Sequence, residues 1–238
     1  MDLSELCVIC GKRVTTACTG CVTILYCSAD CLNSDKAHGL ACKCFQALPT
    51  APTTGNKHVL AYLFPADTTE PKVMWVPVSG FADADTGISF EEADTSQFFP
   101  SPTSQTLNAE RNNVRNRESN SMLEIWHTST GSGNACIESL AGIQGGQGPF
   151  HDWVGHVLVL AMTRPTGFMV DPGAYRSVQL RDFQDAVDFV VDFGNTAHRQ
   201  LTQETLNTLG LPLGTTGSVG GSMRMEEKET GNIIAEIE

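Results

Sequence analysis

Between Cys7 and Cys42 the chain places seven cysteines and one histidine at the spacing C-x2-C-x7-C-x2-C-x5-C-x3-C-x6-H-x3-C. Structural zinc sites close each ion with four Cys or His ligands, so eight ligands are what two tetrahedral ions require. Cys7/Cys10 and Cys18/Cys21 have the separation of a tight knuckle that points both sulfurs at one ion. Cys27/Cys31 and His38/Cys42 each lie about one helical turn apart, which presents both ligands on one face. Four pairs can make two sites, and the spacing leaves open which pairs share an ion. Cys44 is surplus to the eight and is expected to be a free thiol.

Eight of the nine cysteines fall within residues 7–44, and such clustering without a secretory signal favours metal thiolates over disulfides. The first ten residues, MDLSELCVIC, lack a basic region followed by a long apolar run, so the expected location is the cytoplasm, the nucleus or both. No apolar stretch approaches the roughly 18 residues a membrane span needs. The formal charge of −12 disfavours phosphate backbones and anionic lipid, which demand a surplus of Lys and Arg. Residues 1–45 carry four acidic and four basic side chains, and so have no basic excess with which to grip nucleic acid. Direct nucleic-acid binding is therefore not expected.

Beyond the cluster, Pro49, Pro52 and Gly55 mark a short semi-rigid linker over residues 46–56. Residues 57–203 then read as one α+β domain with a central β-sheet and few helices. His58–Phe64 and Lys72–Val78, separated by PADTTEP, predict two strands that can pair as a hairpin. Residues 80–109 have few apolar runs and predict a long surface loop with one helical turn around Glu91–Ala93. Ser121–His127 alternates as a strand does. Asn134 is placed to cap a helix over ACIESLAGI, and Trp153–Met162 is apolar enough for a central strand buried on both faces. After a short strand at Tyr175–Val178, an amphipathic helix is expected from about 180 to 193, with Gly194 just past its end. Its apolar stripe is Phe183, Ala186, Val187, Val190 and Phe193, with Asp182, Asp185, Asp188 and Asp192 mostly on the opposite face. Residues 204–238, rich in Gly, Ser and Thr and then in Glu, predict a mobile acidic tail.

The ligand spacing, the Tyr26-Cys27 step, the following Cys-x3-Cys and the closing His-x3-Cys resemble a MYND-type zinc finger over residues 7–42. That resemblance implies an interleaved arrangement, with Cys7, Cys10, Cys27 and Cys31 on one zinc and Cys18, Cys21, His38 and Cys42 on the other. It also implies a protein partner. Family members that bind short proline-containing peptides commonly carry Gln after the sixth ligand and Trp a few residues later, where this chain has Leu32 and Asp35-Lys36. The order of elements after the finger is similar to that of uncharacterised fungal proteins with MYND fingers.

With both sites full, neither ion keeps the open position that water activation needs, and a catalytic zinc is not expected. His127, His151, Asp152 and His156 are the other residues that hint at metal or acid-base chemistry, and Cys136 is a lone thiol. Each reads more simply as structural, so no catalytic residue is assigned. The basic run Arg111, Arg115 and Arg117 reads as a solvated loop. The leading expectation is a zinc-binding intracellular adaptor working in transcriptional or ubiquitin-linked regulation. The alternative is an enzyme in residues 57–203 that the finger recruits or supplies with substrate. Chelation is expected to unfold residues 1–45 and leave the rest intact, because metal binding and folding are coupled in small modules.

Overall fold

In the computed structural model the residues described are 6–21, 23–53, 55–99, 104–145, 148–164 and 173–194. The ligand-bearing segment forms a two-stranded ribbon, β1 (Thr16–Ala17) and β2 (Leu25–Tyr26), followed by α1 (Ala29–Ser34) and α2 (His38–Gln46). Ser28 starts α1 because its hydroxyl accepts from the Cys31 N–H at 3.3 Å, satisfying one of the donors a helix start leaves open.

The apolar runs beyond it become β3 (Lys57–Phe64), β4 (Lys72–Ala82), β5 (Ser89–Ala93), β6 (Ser104–Asn112), β7 (Arg117–Gly133), α3 (Ala135–Ile143), β8 (Val154–Met162), β9 (Tyr175–Arg176) and α4 (Leu180–Asp192). Seven of these strands make one antiparallel sheet in the order β5-β4-β3-β8-β7-β6, with β9 added to β8. The fold of the described residues is thus α+β, with a finger at the N-terminal end. The expected hairpin is present and runs from Lys57↔Val78 to Leu63↔Lys72. β8 sits centrally between β3 and β7, as its continuous apolar sequence requires. Asn134 caps α3 by accepting from the Ile137 N–H at 2.9 Å. No helix of the described residues is long and apolar enough to cross a membrane.

Two expectations are corrected. Residues 80–109 are not a long loop: β4 runs on to Ala82, β5 returns antiparallel to it, and β6 starts at Ser104, so that Glu91–Ala93 is strand rather than a helical turn. β5 and β6 are the sheet edges and largely solvated, so they lack the apolar alternation by which half-buried strands are recognised. The acidic side of α4 is also not a solvated face. Asp182, Asp185 and Asp188 are buried, because the β6–β7 turn and Arg176 cover them. The residues beyond Gly194, including the expected acidic tail, lie outside the described residues.

β3 and β8 pair over Tyr62–Phe64 and Val157–Val159 only, and then diverge. Residues 175–178 fill the fork: β9 pairs with Ala161 and Met162, the Val178 N–H donates to Leu60 O at 2.9 Å, and the Leu60 N–H donates to Ser177 Oγ at 3.1 Å. On the other edge of β8 the ladder with β7 is bulged opposite Thr128. There Gly155 has φ +64°, and a Cβ on it would run into Thr128 Cγ2. Glycine is the residue that fits this combination of left-handed backbone and close approach.

Strand alternation sorts the core into two faces. Leu60, Tyr62, Phe64, Leu123, Ile125, Val157 and Val159 face α3, α4 and the finger, while Val59, Ala61, Leu63, Leu158 and Leu160 face a smaller cluster that includes Phe99. The larger cluster is continuous with the finger through Val8, Ile24, Tyr26 and Ala41. α2 packs on α4, and residues up to Gly194 cluster as one compact unit. The linker is tied as well, since the Trp75 indole N–H donates to Pro49 O at 3.0 Å.

Candidate metal centre

Each knuckle is shaped by backbone hydrogen bonds that aim its sulfurs inward. In the first, the Cys7 N–H donates to Lys12 O at 2.8 Å and the Gly11 N–H to Cys7 O at 2.9 Å. Gly11 has φ +70°, the left-handed turn that closes the loop. In the second, the Gly20 N–H donates to Cys18 Sγ at 3.3 Å. Cys31 lies in α1, and His38 and Cys42 lie one turn apart in α2, both buried.

These elements bring the ligand atoms into two groups, each with all its atoms within 4.8 Å of one another: Cys7, Cys10, Cys27 and Cys31, and Cys18, Cys21, His38 and Cys42. Sulfurs at about 2.3 Å from a tetrahedral zinc stand about 3.8 Å apart. In the first group Cys10 and Cys27 are 3.3 Å apart, Cys27 and Cys31 3.6 Å, and Cys31 and Cys10 3.8 Å. In the second, Cys18 and Cys42 are 3.8 Å apart, and His38 Nε2 lies 3.6 Å from Cys21 Sγ and 2.8 Å from Cys42 Sγ. The separations of 3.6–3.8 Å match the edges of a tetrahedron around an ion of zinc's size, while Cys10–Cys27 and His38–Cys42 are drawn closer than those edges; thiolates with one imidazole are the donors zinc favours. The residues present therefore fit zinc. The pairing is the interleaved one, with the first and third pairs together and the second and fourth together.

The electrostatics of the groups favour a cation. Burial opposes ionisation of Cys18, yet the N–H groups of Cys21 and Gly20, with help from His38 and Cys42, bring its thiol down to about 6. Burial and the neighbouring Cys27 thiol push Cys31 up to about 12, and burial followed by Cys21 and Cys18 raises Cys42 as well. Thiols this close cannot all carry charge against one another. A dication at the centre of each group would remove that conflict, because metal ligation requires the deprotonated sulfur.

Side chains outside the finger hold the first knuckle. Arg117 Nη2, at the start of β7, donates to Val8 O at 3.1 Å, and Arg181 Nη2, on α4, donates to Leu6 O at 2.9 Å. Between the two metal groups, the buried Tyr26 hydroxyl donates to Asp35 Oδ2 at 2.9 Å, and Asp35 Oδ1 accepts from the His38 N–H at 3.2 Å. Burial raises the Asp35 carboxyl despite the Tyr26 hydroxyl, His38 and Arg115, all of which favour its charged form. Arg115 and Arg117, read from sequence as a solvated loop, instead pair with Asp188 at 2.6 Å and Asp185 at 2.7 Å. Acids recurring every third residue on α4 are the one local sign of these pairs, and their arginines stand about 70 residues earlier in the chain.

Cys44 stands outside both groups, its thiol donating to Pro71 O at 3.0 Å. Cys136 is fully buried, and burial followed by Cys44 and Glu70 pushes its thiol up to about 12, far from a reactive thiolate. Among the described residues, the candidate histidines do not gather at one point. His127 and His151 come together edge-on, with ring centroids 6.3 Å apart, beside Trp153. His156 Nδ1 accepts from the Ala66 N–H at 3.1 Å.

The segment carrying these ligands, residues 7–42, matches the family model described as MYND finger. Residues 7–42 form a MYND finger. "Ubiquitin carboxyl-terminal hydrolase 19" of Arabidopsis thaliana is 42% identical over 53 residues, 21% of this chain and 8% of that protein. The chain thus spans a small fraction of the length of this relative. No solved structure matches the chain.

Beside the finger lies a groove of about 640 Å³. The finger supplies one wall with Ile24, Leu25, Phe45 and Gln46, and the other comes from Val178, Gln179 and Leu180 at the start of α4.

Proposed function

We propose that the chain is a protein-interaction adaptor whose MYND finger holds two structural zinc ions and presents a groove to a short segment of a partner protein. The observation that carries this reading is the pair of closed four-ligand groups. Each has a full tetrahedral donor set, which suits a fold-stabilising ion and leaves the surface to do the recognition. MYND fingers mediate protein interactions, and the groove has one wall on the finger and the other on α4. A partner segment in it would therefore be read by residues from both parts of the chain.

Zinc's contribution here is structural: it cross-links the knuckles to α1 and α2. Cys7, Cys10, Cys27 and Cys31 would hold one ion, and Cys18, Cys21, His38 and Cys42 the other. A ubiquitin-linked setting draws its support from the name of the Arabidopsis relative, which matches this chain over 53 residues.

The test has two stages. Native mass spectrometry of the purified chain should give two zinc ions per molecule, and a count of zero or one would remove the ligand assignment. Affinity purification should then compare the intact chain with Thr23→Lys and Gln46→Lys, two exposed positions lining the groove. Partners lost from both variants while zinc content stays at two support the groove. Partners retained by both would place recognition elsewhere.

A further inference from the structure

β4 and β5 outrun the rest of the sheet. β3 covers β4 only as far as the Lys57↔Val78 pair, and from Ser79 to Ala82 the strand paired with β4 among the described residues is β5. Residues 79–92 thus project as a two-stranded ribbon. On one face, Phe81 stands directly opposite Phe90 in the register, and the rings stack with centroids 5.5 Å apart and planes at 19°. Phe81 is 52% exposed.

The surroundings of this pair carry one sign of charge. Between Ser79 and Asp94 the charged side chains are Asp83, Asp85, Glu91, Glu92 and Asp94, with no Lys or Arg among them. Glu91 is held by Lys57 at 2.7 Å, and as the residue next to Phe90 it points to the opposite face. Glu92 lies opposite Ser79 on the same face as the phenylalanines and is exposed, as is Asp85 at the tip. The tip is rigid: Asp83 Oδ1 accepts from the Asp85 N–H, the Thr86 N–H and the Thr86 hydroxyl at 3.1, 2.8 and 2.7 Å.

A solvent-facing aromatic pair flanked by two exposed carboxylates fits one class of partner. Aromatic ring faces are electron-rich and attract cations, guanidinium above all because it can lie flat on the ring. The flanking carboxylates reinforce that attraction and repel phosphate or anionic lipid. We propose that the β4–β5 ribbon is a docking surface for an arginine-containing basic segment of a partner protein, with the guanidinium stacked on Phe81 and its neighbours facing Asp85 and Glu92. This surface is separate from the groove beside the finger, and neither depends on the other.

The probe is a fluorescein-labelled Gly-Arg-Arg-Gly-Arg-Arg-Gly peptide added to the full chain, read by fluorescence anisotropy and by amide chemical-shift changes in the protein. The proposal expects shift changes centred on residues 79–92. It also expects affinity to fall about two- to fivefold in Phe81→Thr, the loss that one exposed ring-cation contact gives, and further in Phe81→Thr/Phe90→Thr. Asp85→Asn/Glu92→Gln should weaken binding and flatten its salt dependence. Threonine keeps strand propensity and leaves the charge untouched, so nonspecific attraction to this acidic protein survives in the Phe variants. Unchanged affinity in Phe81→Thr, or shift changes scattered over the acidic surface, would overturn the proposal. So would a lowered melting temperature with unaltered peptide binding, which would mean the pair serves only to stabilise the ribbon. Concentration-dependent dimerisation abolished by Phe81→Thr would equally overturn it, by showing that a second copy covers the rings.

Discussion

Replacing Asp185 by Asn should destabilise the chain by about 2–4 kcal/mol and loosen the first zinc knuckle, although position 185 is far in sequence from any metal ligand. Asp185 is 1% exposed at its side chain and accepts from Arg117 Nη2 at 2.7 Å, from Arg117 Nη1 at 3.3 Å and from Asn112 Nδ2 at 2.8 Å. The amide in its place would keep the shape and remove the charge, leaving the guanidinium, 22% exposed, without its counter-ion. Breaking a buried pair from one side typically costs about 3–5 kcal/mol. The water still open to Arg117 and its bond to Glu118 O reduce that figure, which gives our range. Two unit charges at 4 Å attract by about 4 kcal/mol at an effective dielectric of 20, which sets the same scale. Against a total stability of about 5–15 kcal/mol for a domain, the loss is large. Arg117 also donates to Val8 O, inside the Cys7–Cys10 turn, so a guanidinium that has lost its anchor should hold the knuckle less well. Urea titrations of the zinc-loaded chain measure the first effect, and the rate of zinc transfer to a chromogenic chelator measures the second. Removing both charges, in Arg117→Met/Asp185→Leu, should restore much of the stability, because no stranded ion remains. A stability for Asp185→Asn within about 0.5 kcal/mol of the parent, the scatter expected of neutral substitutions, with unchanged zinc transfer, would refute the coupling.

Gly155→Ala should cost about 2–4 kcal/mol, combining left-handed strain with the clash against Thr128 Cγ2, and adding Thr128→Ser should recover the clash portion in thermal melts. Asn134→Ala should cost about 2–4 kcal/mol, more than an ordinary cap, because the buried Asn134 amide also donates to Phe64 O at 2.9 Å and Gly155 O at 2.8 Å. His127 is held below its usual value of 6.5, chiefly by burial and then by His151. The unfolded chain therefore binds the proton first as pH falls below about 6.5, so stability should drop from there down to the depressed folded value and be level above 6.5. His127→Gln should flatten that fall in urea midpoints compared on either side of that pH. An unchanged slope would point to other groups.

The parts of the fold that were legible in the sequence are those with a strong local code. The spacings marked four pairs of Cys and His without saying which pairs share an ion, the Asn134 cap started α3, and apolar density put β8 at the sheet's centre. What escaped depends on partners distant in the chain. β5 and β6 are strands because β4 and β7 offer them hydrogen-bonding edges, and their own solvated residues carry little alternation. The aspartates of α4 looked solvent-facing because a helix pattern distinguishes apolar from polar sides and cannot show that a turn far earlier in the chain brings arginines to cover the polar one. The same limit applies to the groove, whose second wall belongs to residues 178–180. It also bears on chelation: with a core shared between finger and sheet, and with Arg117 and Arg181 bound to the first knuckle, metal removal should lower amide protection in α4 as well as in residues 6–45.

The seating of α2 against α4 has a consequence for the order in which the protein is made. All eight ligands emerge from the ribosome close together and well before α4, so the finger can load its metal while the rest is still being made. Its resting place, α4, ends at Asp192, and at about 5–20 residues per second the intervening stretch of roughly 150 residues takes on the order of ten to thirty seconds to synthesise. Throughout that interval Val8 and Ile24, which face Leu180 and Phe183 in the finished protein, lack that part of their cover. The nascent finger is a ready client for chaperones, and a ribosome stalled before residue 180 would release a metal-loaded module with its sticky side uncovered.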